Sequence, residues 1–189
     1  MDIKPKNLNG RVIVSRPTLT DPNFLQTIVY IAEHSRQGAL GFIVNRPSGK
    51  SLKSYLTSEK LDGIEDIPVL LSGPVSNTEI QLAAFQWDPL KLEWKCRRGI
   101  SFDEARSIKQ WSKGLHINHS RQVLVALLGY AGWSANQIET EWPDAWMTSH
   151  PNDALLDPEQ NGDLWQSLVS SHGPLYRTLS RIPETAFLN

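Results

Sequence analysis

Ile28-Val29-Tyr30-Ile31-Ala32-Glu33-His34-Ser35-Arg36-Gln37-Gly38-Ala39-Leu40-Gly41-Phe42-Ile43-Val44 is the stretch on which the fold turns. Its two apolar runs, Ile28 to Ala32 and Leu40 to Val44, are short, rich in β-branched and aromatic residues, and continuous rather than alternating. Runs of that kind read as strands buried on both faces, hence central in a sheet. The connection Ser35-Arg36-Gln37-Gly38 is a short loop with a glycine, which predicts an antiparallel hairpin.

Upstream, Val12 to Val14 is a third run of the same type. Between it and Ile28, Asp21-Pro22 reads as a cap followed by a proline at the first helical position, so a short helical turn is expected. Downstream, Ser51 is expected to cap a short helix through Tyr55 and Leu56. Ile67 to Leu71 is another strand, ending at Ser72-Gly73-Pro74. Ile80 to Gln86 and Lys91 to Arg97 flank Asp88-Pro89 as a second hairpin. In the latter strand Leu92, Trp94 and Cys96 share the apolar face. Ser101 with Glu104 fits a capping box, opening a helix to about Lys113 with Gly114 just past its end.

Val123 to Leu128 is the last strongly buried strand. Gly129-Tyr130-Ala131-Gly132-Trp133 reads as a turn from it into a helix, opened by Ser134 and Gln137 and ended by Pro143. Trp146 to Thr148 is a short strand. Asp157-Pro158 caps a final helix through Leu164, Trp165, Leu168 and Val169, stopped by Gly173-Pro174, and the polar tail after Tyr176 is expected to be loosely held. Hairpin-linked and helix-linked strands are mixed. That predicts an α+β fold with a mixed sheet rather than a doubly wound one. No linker or repeat divides the chain, so residues 1–189 are read as one domain with an ordered core from about residue 10 to 175.

Composition narrows the function classes. Of 189 residues, 40% are hydrophobic and 21% charged, ordinary for a globular protein. A formal net charge of −1 gives no electrostatic case for nucleic acid. The lone cysteine, Cys96, allows no intramolecular disulfide, which fits a reducing compartment. The N-terminus lacks an apolar signal region, and the longest apolar run, Val123 to Leu128, is far short of the ~20 residues of a membrane helix. A cytoplasmic protein without a membrane segment is expected, so the acceptor-like Asn118-His119-Ser120 carries no meaning.

Familiar catalytic signatures are absent: no Gly-x-Ser-x-Gly elbow, Walker A loop, Gly-x-Gly-x-x-Gly or His-Glu-x-x-His occurs. No catalytic residue is assigned and no cofactor is expected. Cys96, on the apolar strand face, reads as a buried structural thiol. His116 and His119 could share a helix face, but no third ligand accompanies them, so no metal site is assigned.

Polar residues gather at strand ends. The hairpin returns Asn45 to the start of the second strand, near Asp21, while His34 lies at the far end, about 20 Å away. One candidate ligand cluster is therefore Arg16, Asp21, Asn45 and Arg46, able to bind a carboxylate or phosphate through forked hydrogen bonds. The more ordinary reading is an Arg16–Asp21 or Arg46–Asp21 ion pair holding the loop. Glu33 and His34 form a weaker candidate acid–base pair, against a structural histidine. Gly129, Gly132 and Trp133 are the third candidate: free N–H groups at a helix start bind anions, unless the glycines serve the turn and Trp133 the core.

These same residues carry a resemblance. Arg11-Val12-Ile13-Val14-Ser15-Arg16-Pro17, then Asp21 and Phe24, Glu33-His34, Gly38-Ala39-Leu40-Gly41 and Asn45-Arg46-Pro47 resemble the opening pattern of the YqgE/AlgH family. Ser72-Gly73-Pro74-Val75 matches its middle signature, and Leu128-Gly129-Tyr130-Ala131-Gly132-Trp133 with Gln137 and Glu141 its last. Ser72 stands where the family usually has glycine, and Ser134 and Asn136 replace small residues or glycine, which weakens any case for backbone-mediated binding there. The resemblance spans about residues 10 to 170. It implies a bacterial cytosolic protein whose branched, mixed, largely antiparallel sheet curls into a pseudo-barrel with flanking helices. It implies no activity, although one family name carries a proposed role in transcriptional regulation.

Three functions compete. The first is a non-enzymatic binding or regulatory protein for an anionic small molecule or a protein partner, using the Arg16, Asp21, Asn45, Arg46 end. The second is a hydrolase-like enzyme with Glu33 or His34 as base. The third is a nucleic-acid effect through a basic face including Lys95, Arg97 and Arg98. The sequence does not set the oligomeric state.

Overall fold

The computed structural model describes residues 6–114, 121–157 and 161–181. Nine strands are described: β1 (Val12–Ser15), β2 (Ile28–Ser35), β3 (Gly38–Ile43), β4 (Pro47–Ser51), β5 (Pro68–Leu71), β6 (Val75–Asp88), β7 (Glu93–Ile100), β8 (Gln122–Ser134) and β9 (Trp146–Ser149). The described helices are α1 (Phe102–Gly114), α2 (Gln137–Ala145), α3 (Asn161–Ser170) and α4 (Pro174–Leu179). Along one path the sheet runs β4-β5-β8-β3-β2-β1-β9, and β6, paired with β7, branches from β8. All pairs are antiparallel except β5 with β8. The architecture is α+β, with a mixed, branched sheet curled on itself.

Alternation along the strands builds two apolar layers at once. Val12, Val14, Ile28, Tyr30, Phe42 and Val44 point into the concave side with Phe85, Leu127, Met147 and Trp165. Ile13, Val29, Ile31 and Ile43 point outward beneath Ile138, Trp142 and Ala145 of α2. This is why the runs are continuous: both faces are covered. At the other end, α1 and the short helical turns Leu52–Ser54 and Glu59–Leu61 cover a third layer that includes Val69, Leu82, Ala84 and Ala126. No helix among the described residues is long and apolar enough to cross a membrane.

The β2–β3 hairpin, the β6–β7 hairpin and the Ser101 cap form as expected, Ser101 Oγ accepting the Glu104 N–H at 3.2 Å. Other expectations need correction. Gly129 to Trp133 is not a turn into a helix, because β8 continues through it to Ser134 and pairs with β3. Pro143 lies inside α2 instead of ending it. Proline removes only the bond to the Glu139 carbonyl, and burial of Trp142 and Ala145 outweighs one lost bond. Leu92 stands in the hairpin turn at φ 52° and is 69% exposed, so it leaves the apolar face to Trp94 and Cys96. Ser51 precedes the Leu52–Ser54 turn without a side-chain cap bond. Pro22 to Gln26 forms the expected short turn, closed by the Phe24 N–H on the Asp21 carbonyl at 2.9 Å, and no helix follows from it. Pro174 opens α4, so part of the segment read as a loose tail is helical. Pro158 lies outside the described residues.

Candidate functional site

β8 is the strand where the sheet divides. Its first half pairs with β6 on one side and, in parallel, with β5 on the other; its last residues pair with β3. Ser72 links the diverging strands: its N–H donates to the Leu128 carbonyl at 2.8 Å and its carbonyl accepts the Ile43 N–H at 3.0 Å. The next residue must be small. A Cβ on Gly73, at φ 151°, would sit 2.2 Å from the Tyr130 carbonyl carbon and oxygen. Gly129, at φ 72°, is equally enclosed, its Cβ position lying 2.5 Å from the Gly73 carbonyl oxygen. The glycines of the middle and last signatures therefore let two backbones touch.

Strands that part leave a hollow. A cleft of about 280 Å³ opens beside Gly73 and Pro74, with Ile43, Leu71 and Leu128 as apolar walls and Asn23, Arg46 and Asn77 as polar ones. Arg46 is anchored in it by backbone carbonyls of the turn after Asp21: Asn23 at 2.8 Å, Leu25 at 2.9 Å and Pro22 at 3.4 Å.

The other members of the first candidate cluster do not join Arg46 there. Asn45 lies beside the start of β2, accepting the Ile28 N–H at 2.8 Å and donating to the Gln26 carbonyl at 2.9 Å. The Asp21 carboxylate accepts the Asn23 N–H and pairs with neither arginine among the described residues. Arg16 turns to α4, where Nη1 donates to the Tyr176 hydroxyl at 2.6 Å, and its buried Nε has no hydrogen-bond partner among the described residues. The carbonyls of the 22–25 turn do the work the sequence reading gave to an Asp21 ion pair.

A family model described as DUF179, AlgH-like, matches residues 12–177. The chain belongs to the AlgH-like family. A UPF0301 protein of Azoarcus sp. (strain BH72) is 34% identical over 156 residues, covering 78% of this chain and 80% of that one. The UPF0301 protein AlgH of Pseudomonas aeruginosa is 32% identical over 170 residues, covering 80% and 82%. The solution structure of the P. aeruginosa AlgH protein superposes with a TM-score of 0.58 at 25% identity, covering 97% and 98% of the two chains. A crystal structure of a protein from Corynebacterium diphtheriae gives a TM-score of 0.62 at 13% identity over 96% and 95%, a likeness of fold alone.

The last signature of this AlgH-like chain is a hydrogen-bond network. Glu141 Oε2 accepts the indole N–H of Trp133 at 3.0 Å and of Trp146 at 3.1 Å, and Oε1 accepts from Gln137 Nε2 at 2.8 Å. Gln137 Oε1 in turn accepts the Ser134 N–H at 2.9 Å. Phe24 packs on both indoles, with centroids 6.0 and 5.4 Å away, and belongs to the turn that Arg46 holds. Trp133 is thus a packed and bonded residue, and the exposed Gly132 is paired with Leu40 in the sheet. Neither presents free N–H groups of a helix start, and α2 begins only at Gln137.

Glu33 and His34 separate, as neighbours in a strand must. Glu33 forms an exposed ion pair with Arg98. The His34 side chain is 7% exposed. Nδ1 accepts the Leu8 N–H at 3.3 Å, which places the proton of the neutral ring on Nε2, 3.0 Å from Glu139 Oε1. Sequence reading missed Glu139; its place two residues after Gln137, on a helix it put after a turn, gave no hint of His34. It also missed Asn23, Asn77 and Leu71 in the cleft: the last two are signalled only by nearness to Gly73-Pro74, and Asn23 only by the turn after Asp21.

The remaining chemistry is inert or neutralised. Burial pushes the Cys96 thiol up to about 12, so it is no nucleophile at neutral pH. Lys95 pairs with Asp88 at 3.0 Å, Arg97 with Glu104 at 2.5 Å and Arg98 with Glu33, so the proposed basic face is interleaved with acid. Among the described residues no three His, Cys, Asp or Glu side chains are placed to hold a metal. His116 and His119 lie outside those residues.

Proposed function

We propose that this protein acts by binding and not by catalysis, as a cytoplasmic regulatory protein whose ligand occupies the cleft at the sheet branch. The observation that carries the reading is the cleft's make-up: one guanidinium and two amides facing three aliphatic walls. That pattern suits a small carboxylate or phosphate with an apolar body. Arg46, fixed by three carbonyls, is pre-organised and needs little ordering when a ligand arrives. Arg16, Asp21 and Asn45 act in this reading as supports for the surrounding loops.

Two features weigh against an enzyme using Glu33 or His34. The imidazole is buried with both nitrogens engaged, and the nearest acid, Glu139, is its own partner. For a regulatory outcome, including a transcription-linked one, interleaved charge favours a protein partner over nucleic acid.

The test is a thermal-shift screen of small carboxylates and phosphates, with Asn77→Ala and Arg46→Gln alongside. A ligand at ~100 times its dissociation constant adds about 2.7 kcal/mol, or roughly 5–10 °C at this size. The expected result is a shift in the wild type that Asn77→Ala weakens and Arg46→Gln loses. Because Asn77 is exposed and bonds nothing else among the described residues, its loss leaves the fold intact. Absence of a shift, or a shift that both variants keep, overturns the assignment.

A further inference from the structure

A second hollow, of about 350 Å³, lies on the other side of the β6 bulge. Between the pairs Val75↔Tyr130 and Ile80↔Leu128, β6 passes residues 76–79 while β8 passes only Gly129. Of these extra residues, Ser76 and Glu79 line the hollow. Leu40, Ile80 and Tyr130 line it with apolar surface, and Glu79, Gln81 and Arg98 with polar groups.

The polar groups of this hollow are short of partners. The Glu79 carboxylate, the Tyr130 hydroxyl and the Gln81 amide bond to no protein group among the described residues. Arg98 spends one N–H on Glu33 and keeps the rest of its five donors. Glu79 and Arg98 are opposite charges lining one cavity, yet they do not pair with each other among the described residues. Arg98 shares one N–H with Glu33 at its edge, and its remaining donors and the Glu79 carboxylate are open to a ligand.

We propose that this hollow is a binding site for a free α-amino acid with an apolar side chain. Its ammonium meets Glu79, its carboxylate meets Arg98 in a forked contact, and its side chain covers Leu40, Ile80 and the Tyr130 ring. Size agrees. Ligand sites of about 300–1,000 Å³ are usual, and 350 Å³ sits at the small end. A nucleotide or sugar phosphate would bring excess negative charge against Glu79. A simple amine or acid would make only one of the two charged contacts. The site is separate from the cleft holding Arg46.

The test is titration of the ¹⁵N-labelled protein with L-leucine and L-phenylalanine, and with isoamylamine and 4-methylvalerate as analogues lacking one charge. Saturable shifts are expected at Gln81 and Gly129 with the amino acids, not at Arg46. Both analogues should bind at least about tenfold more weakly, the usual cost of losing a hydrogen bond to a charged group. Glu79→Gln should weaken L-leucine about tenfold and leave 4-methylvalerate unchanged; Arg98→Gln should likewise weaken L-leucine about tenfold and leave isoamylamine unchanged. Both side chains are exposed, so folding is not at stake. No saturable shift below 10 mM ligand, an upper bound that corresponds to only about 2.7 kcal/mol of affinity, overturns the proposal. So does equal binding by amino acids and analogues, or wild-type affinity in both variants.

Discussion

Replacing Glu141 by alanine should cost this fold a large share of its stability, and the size follows from two indoles. Trp133 and Trp146 are 5% and 1% exposed, and the same carboxylate oxygen accepts both of their N–H groups. A hydrogen bond to a charged acceptor contributes about 1.5–3 kcal/mol, and a buried donor left without a partner costs about 1–3 kcal/mol. Two such donors, with partial relaxation, give about 3–5 kcal/mol. At this chain length that lowers the midpoint by roughly 6–20 °C. Glu141→Gln can keep its oxygen on the indoles but loses the charge and the bond from Gln137 Nε2, a loss relieved if that amide turns to offer its oxygen, so about 1–3 kcal/mol is expected. Urea unfolding followed by tryptophan fluorescence reads both, with unchanged m-value as the control for two-state behaviour. If Glu141→Ala loses less than about 1 kcal/mol, the indoles have found other acceptors and the last signature of the family has a different reason to exist.

Three further outcomes are expected. Gly73→Ala should abolish folding or cost more than about 3 kcal/mol, because its Cβ would overlap the Tyr130 carbonyl, whereas Gly49→Ala, at φ 72° with nothing within 4 Å, should cost only the ~1–2 kcal/mol of left-handed strain; circular dichroism melts compare them. Cys96 should react with iodoacetamide about 10³-fold more slowly than an unfolded control at pH 8.5, since its thiol is pushed up to about 12 against an ordinary value near 8.5. Burial also pushes the Tyr30 phenol up to about 12, with a smaller contribution from neighbouring Cys96. The folded state then keeps a proton that the unfolded chain gives up above its ordinary ~10, so stability falls as pH rises from about 10 to 12, by up to roughly 2–3 kcal/mol. Tyr30→Phe should flatten that part of the curve in urea melts at stepped pH.

What the sequence disclosed depended on how local the cause was. The β2–β3 hairpin announced itself because its apolar runs and its glycine loop are contiguous. Gly129 to Trp133 misled because two glycines suggest a turn, and the reason they sit in a strand is the backbone at Gly73, far away in sequence. Pro143 misled for a like reason: the burial that keeps α2 going comes from β1, β2 and β3 residues. In the candidate site, Asn45 could be placed from the hairpin return alone. Arg16 could not, because its partner Tyr176 lies 160 positions on, in a helix the sequence did not predict. Arg46 was picked for its charge, yet its partners are main-chain carbonyls, which any residue carries and no composition records.

The shared strand also orders events during synthesis. β8, at Gln122–Ser134, is the only described strand that joins the β2–β3 hairpin to β5 and to the β6–β7 hairpin. Until it leaves the ribosome, the two hairpins can form but cannot be assembled, and the inner faces carrying Phe42 and Phe85 stay uncovered. At about 5–20 residues per second the wait from the end of β3 to the end of β8 is roughly 5–18 s. A nascent chain of this family should therefore be a client for chaperones over that interval, and should become resistant to protease in a single late step.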